Sequence, residues 1–300
     1  MKAPTYFDPM EANNLFLDGA YKRAFAEYTR GLNEFHSPIC AFNLATMHQL
    51  GLGVPRDTQK AANLYEACAS LLGDGDAEYN LALLILRRQC THPDERFDRN
   101  NPGFLRQCGM LMETAAEKGC VHAKYYLGVS HLLGRVFDPL NIECIARIPF
   151  PRIVPRNEQT LPLLADPTGQ LPGADLIDYD TDEQVILDQD QELANTYFEK
   201  AHNADDTYAE SVVGDALIAH AQLLLEGDAA SYGDRARAFR LMERAAAQYG
   251  SADAAAFLLE HKEEAAEYRI AAGKYEHLRM PVNEYFRSRY LIPAPPTDEE

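Results

Sequence analysis

The sequence predicts an all-α chain, an α/α superhelix built as a solenoid of helix hairpins with one long inserted loop, and three observations carry that prediction. A five-residue block reading YEACA at 65–69 returns as METAA at 112–116, FEKAH at 198–202 and MERAA at 242–246, with a weaker YRIAA at 268–272. After each of the first four copies, a polar or glycine-containing turn leads to an alanine: Ala77, Ala123, Ala209 and Ala254. A second block surrounds those turns, as FNLATMHQLG, YNLALLILRR and YYLGVSHLLG, and its first two copies lie about 37 residues apart. A period in this range marks paired-helix repeats, each unable to bury its apolar face without a neighbour.

The elements follow in order. Residues 17–35, LDGAYKRAFAEYTRGLNEF, read as the second helix of a divergent opening pair. Residues 39–50 form the next helix, because Ala41, Leu44, Ala45 and His48 recur at helical spacing in a stretch of Ala and Leu rather than β-branched residues. The glycines after it, Gly51 and Gly53, make a corner. One of them ends the helix at positive φ, Pro55 prevents its continuation, and Asp57 or Thr58 caps the helix of residues 58–70. A phosphate loop would need a buried strand ahead of the glycines and a third glycine or a Gly-Lys-Ser/Thr in register, and this stretch has neither. In the later pairs, Ala and Gly at the recurring sites let helices approach closely, while Leu44, Leu64, Tyr65, Leu81, Leu111, Leu127, Tyr197, Phe198 and Phe239 fill the seams. Residues 274–292 are expected to form a closing helix over the last seam, followed by a tail at 293–300, so that residues 1–300 make a single repeat domain.

The corners differ in length. Between Gly134 and Glu199 the third full repeat carries about 65 residues, against about 15 between Gly51 and Glu66 in the first, which places an insertion at 138–190. It opens as CIARIPFPRIVPR, with Arg147, Arg152 and Arg156 among prolines, and then runs without Lys or Arg from 157 to 199. Apolar residues such as Ile142, Phe150, Ile153, Leu176 and Val185 recur along it, so the insertion is expected to be an ordered arm at one edge of the concave groove.

Charge bounds the partners. A formal net charge of -18 repels nucleic-acid phosphates and attracts a cationic partner. The opening MKAPTYFDPMEANN turns polar at once, and no apolar run has the length of a membrane span, so a cytoplasmic protein without a membrane partner is expected. The six cysteines, Cys40, Cys68, Cys90, Cys108, Cys120 and Cys144, then read as reduced and mostly buried. In an antiparallel hairpin, Cys40 at its start would lie beside Cys68 at its end, a geometry that an oxidising compartment could bridge.

Candidate chemistry is sparse. Asp178, Asp180 and Asp182 resemble the start of a calcium loop, but Glu183 stands where glycine is needed and Gln189 where a bidentate glutamate belongs. Cys90-x-His92 and Cys120-x-His122 lack the paired spacing of structural zinc. No nucleophile elbow or paired Cys and His stands out, so no catalytic residue, metal or cofactor is assigned.

The stretch AFNLATMHQLGLGVPRDTQKAANLYEACA resembles a unit of the Sel-like repeat family, α/α repeats related to tetratricopeptide repeats. Its pattern positions are filled by Ala41, Leu44, Gly51, Gly53, Val54, Asp57, Lys60, Ala61, Tyr65 and Ala69. The resemblance implies an adaptor that receives a peptide or folded protein partner on a concave face lined by first helices. It also raises an alternative, a hydrolase acting on a cell-wall-related or β-lactam compound, as claimed for cysteine-rich members. Counted from Leu44 and Leu127, His48 and His131 share one repeat position, where an aromatic is usual, and Asn43, Asn80 and Tyr126 share another. These five, with Arg147, Arg152 and Arg156, are the expected binding residues.

Overall fold

The computed structural model describes residues 7, 9–86, 90, 97, 103–133, 190–204, 210–225 and 232–278. Among them there is no strand: the fold is all-α, of the α/α-superhelical class. The arginines of the insertion, Arg147, Arg152 and Arg156, lie outside the described residues, as does all but Asp190 of the insertion and everything beyond Leu278 in the expected closing helix. Its described beginning, Ala272–Leu278, is a 3-10 helix. Contacts divide the chain into two compact units, Met1–Asp190 and Gln191–Glu300.

In the first unit the helices are α1 (Pro9–Leu17), α2 (Tyr21–Phe35), α3 (Pro38–Leu50), α4 (Thr58–Leu72), α5 (Gly75–Leu86), α6 (Phe104–Glu117) and α7 (Val121–Leu133). Each packs on the next, so the array grows by neighbour contacts. Corners are set by a few residues. Gly51, at φ 74°, ends α3 in the left-handed region with its N–H on the Met47 carbonyl, and the Asp57 side chain caps α4 by accepting from Lys60 N at 2.9 Å. Gly53 is needed for a second reason: a Cβ there would sit 2.5 Å from the Tyr21 carbonyl oxygen, so the corner rests directly on the first turn of α2. The glycine pair is a corner between helices.

The opening core gathers Phe7, Phe16, Tyr28, Cys40, Leu44, Met47 and Leu52. Gly31 admits the Phe7 ring and the Cys40 sulfur, both within 2.7 Å of where its Cβ would be. Cys40 therefore turns toward α2, and Cys40 and Cys68 are free thiols. Of the residues expected to fill seams, Leu44, Tyr65, Leu81, Leu127, Phe198 and Phe239 are buried, while Leu64, Leu111 and Tyr197 are half-buried.

The second unit contains α8 (Gln191–His202), α9 (Glu210–Leu225), α10 (Tyr232–Tyr249), α11 (Ala252–Glu260), α12 (Lys262–Glu267) and the 3-10 helix. Phe239 is its hub, with ring centroids 5.3 Å from Phe257 and 5.0 Å from Tyr268. Arginines on α10 tie it to its neighbours: Arg237 pairs with Glu199 of α8 at 2.8 Å and Arg235 with Glu264 of α12 at 2.7 Å. Both pairs are solvent-exposed enough to set register more than stability.

Candidate functional site

The first helices of the hairpins start in register. Ser37, Asp74, Cys120 and Ser251 each precede their helix, and each stands three residues before a buried Cys40, Ala77, Ala123 or Ala254. Asp74 accepts from the N–H groups of Asp76 and Ala77, and Ser251 from that of Ala254. Cys120 fills the same role with sulfur: the N–H groups of His122 and Ala123 point at it, and its S–H faces the Asp76 carboxylate. Complete burial pushes this thiol far up, so it is a helix cap.

The expected binding residues separate by burial. Asn43 is fully buried and engages the Tyr28 hydroxyl, which also donates a short hydrogen bond to Asn13 Oδ1. Burial holds that hydroxyl neutral by raising its pKa far above the usual tyrosine range. Asn43 thus joins α1, α2 and α3 from inside. Tyr126 is also buried, 2% exposed, whereas Asn80, at the same repeat position, is half-buried on the α5 surface. His48 sits edge-on to Phe25 at 5.3 Å, with burial, then the Lys60 charge, lowering its pKa. It packs in the seam on that ring, yet is only half-buried; His131 is buried. No one surface patch collects all five.

Next to His48, a polar knot closes the α3–α4 hairpin. The Tyr65 hydroxyl donates to Gln49 Oε1 at 2.9 Å and shares a second hydrogen bond with Thr46 Oγ1 at 2.9 Å. The N–H of Asp57 reaches the His48 carbonyl, so the corner, His48 and Tyr65 form one rigid edge.

Two features are not visible in sequence spacing. Lys118, ending α6, pairs with Glu78 on α5 and donates to the Ala69 carbonyl of α4 at 3.1 Å. In the second unit, buried His202 and His220 face each other, Nε2 to Nδ1, at 2.9 Å. Among the thiols, burial raises Cys90 to about 11 and Cys108 to about 12, the opposite of nucleophile activation.

Residues 38–71, 184–206 and 214–249 match the family described as Sel1 repeat. A 72-residue stretch is 31% identical to human Protein sel-1 homolog 2; it covers 24% of this chain and 10% of that relative, so the match spans about a tenth of the relative's length. The crystal structure of a Sel1 repeat protein from Oxalobacter formigenes superposes with a TM-score of 0.53 over 96% of this chain and 91% of that chain, at 18% identity, a likeness of fold alone. A protective antigen of uropathogenic Escherichia coli strains, described as displaying an SLR fold, gives a TM-score of 0.32 at 16% identity, covering 90% of this chain and 62% of that one.

Proposed function

This chain carries Sel1 repeats, and from that premise we propose that it is a non-enzymatic scaffold that holds a peptide or protein partner along the first helices of its hairpins. Proteins of Sel1 repeats are generally protein-interaction scaffolds. The observation that supports this reading most directly is the pairing of rigidity with partial exposure at the α3 edge. His48 is braced by Phe25, by the Asp57 N–H on its carbonyl and by the neighbouring Tyr65 knot, yet the residue is only half-buried. Asn80 offers an amide on the next hairpin. Side chains held this way bind with little ordering cost. With a net charge of -18, a partner carrying lysines or arginines is favoured in encounter.

The hydrolase alternative draws no support from Cys40, Cys90, Cys108 or Cys120, since burial raises all four.

A photo-crosslinking amino acid placed at Asn80, at Gln49 beside His48, and at Asn63 on the exposed face of α4 tests the proposal in extract from the native host. One partner captured from the first two positions and not from Asn63 is expected. Capture from Asn63 alone would remove the first helices as the binding surface.

A further inference from the structure

The α8–α9 hairpin buries two imidazoles against each other, with His202 at the end of α8 and His220 inside α9. At 2.9 Å, one ring nitrogen of the pair must carry a hydrogen and the other must not. Nδ1 of His202 is buried without a hydrogen-bond partner. An unmet N–H costs more there than an unmet lone pair, so the favoured arrangement has His202 Nε2–H donating to His220 Nδ1.

The surrounding charges make an added proton costly. From α10, Arg244 donates to the His202 carbonyl at 3.0 Å and places its charge beside that ring, and Arg237 acts in the same sense on His220. From α8, Glu199 favours protonation of both rings, but it is engaged by Arg237 at 2.8 Å. Asn203 adds a smaller favourable contact to His202. A first added proton at His202 Nδ1 meets only the smaller favourable contacts of the Asn203 side chain and its own backbone; one at His220 Nδ1 breaks the hydrogen bond between the rings.

We infer that His202 and His220 form an acid-sensitive latch: neutral and hydrogen-bonded, they hold α8 on α9, and protonation releases the hairpin. The sign follows from linkage. Burial, foremost, lowers both rings below the ordinary histidine value of 6.5, His220 to about 4. The closed hairpin therefore binds fewer protons than the open one. Its stabilisation is complete above pH 6.5 and is lost as pH falls toward 4.

Hydrogen exchange read by mass spectrometry on the full chain at pH 7 and pH 4.5, corrected for intrinsic exchange, tests the latch. Opening of α8–α9 should rise tenfold to a hundredfold on acidification, estimated as roughly the proton linkage of one such histidine, while helices α5 and α6, which carry no histidine of their own, change little. The His202→Leu/His220→Leu variant should lose that difference. Equal acid opening of α5–α6, or the same response in the double variant, would overturn the proposal. Should the double variant not fold, ring nitrogen shifts of the unmodified protein decide: both rings neutral at pH 5.5 support the latch, and both titrating near 6.5 in the folded chain refute it.

Discussion

Lys118 and Glu78, forty residues apart in sequence, form an ion pair that draws the end of α6 onto α5, with the Glu78 side chain 9% exposed and that of Lys118 29% exposed. The same ammonium reaches the Ala69 carbonyl, so one side chain joins three successive helices. Lys118→Met leaves a nearly buried carboxylate without its cation and a helix-end carbonyl without its donor. Because Lys118 keeps some solvent, the expected loss is about 2 kcal/mol, below the 3–5 kcal/mol typical of fully buried pairs. Urea unfolding measures it, and adding Glu78→Gln should recover part of the loss.

Gly53 and Gly73 both have positive φ, 73° and 65°, but differ in surroundings. A Cβ at Gly73 meets open space, whereas one at Gly53 would fall 2.5 Å from the Tyr21 carbonyl. Gly73→Ala should cost about 1 kcal/mol of backbone strain, and Gly53→Ala clearly more, because the corner must lift from α2. Parallel denaturant melts separate the two.

Native thiol reactivity should be low. With Cys90 near 11, its thiolate fraction at pH 8 is about a hundredfold below that of an unperturbed cysteine, and buried Cys108 and Cys120 should react only on unfolding. Timed alkylation followed by peptide mass spectrometry gives the rates. Rapid native labelling of Cys90 would reopen the nucleophile reading.

Tyr65→Phe keeps the ring that packs on Phe42 at 5.5 Å but removes the hydroxyl shared by Thr46 and Gln49. Thr46 retains the Phe42 carbonyl as acceptor, so the expected loss is about 1 kcal/mol. Thermal unfolding reads it, and unchanged stability would show that water replaces the hydroxyl.

The helix hairpins were legible because their signals are local. Gly51 after a helical run, Asp57 three residues before Lys60, and the repeated Ala and Leu positions act within a turn or two of themselves. The capping role of Cys120 was legible too, had it been aligned with Asp74 and Ser251 and not only weighed with His122 against zinc spacing. The binding residues were only partly so. Asn43 and Asn80 share a repeat position, but Asn43 is covered by the α1–α2 pair and reaches Tyr28, while Asn80 stays half-exposed.

The sequence by itself determined the all-α class, the corner from Gly51 to Asp57 and the small-residue seams, since backbone conformation and helix periodicity are decided by near neighbours. Only the tertiary structure decided which polar groups meet: Lys118 with Glu78, Tyr28 with Asn13 and Asn43, His202 with His220. Those meetings depend on the rotation and stagger of one helix against another, which side-chain packing fixes and repeat spacing leaves open. Burial then turned each meeting into chemistry, because a polar group removed from water must find its partner inside the protein or change its protonation.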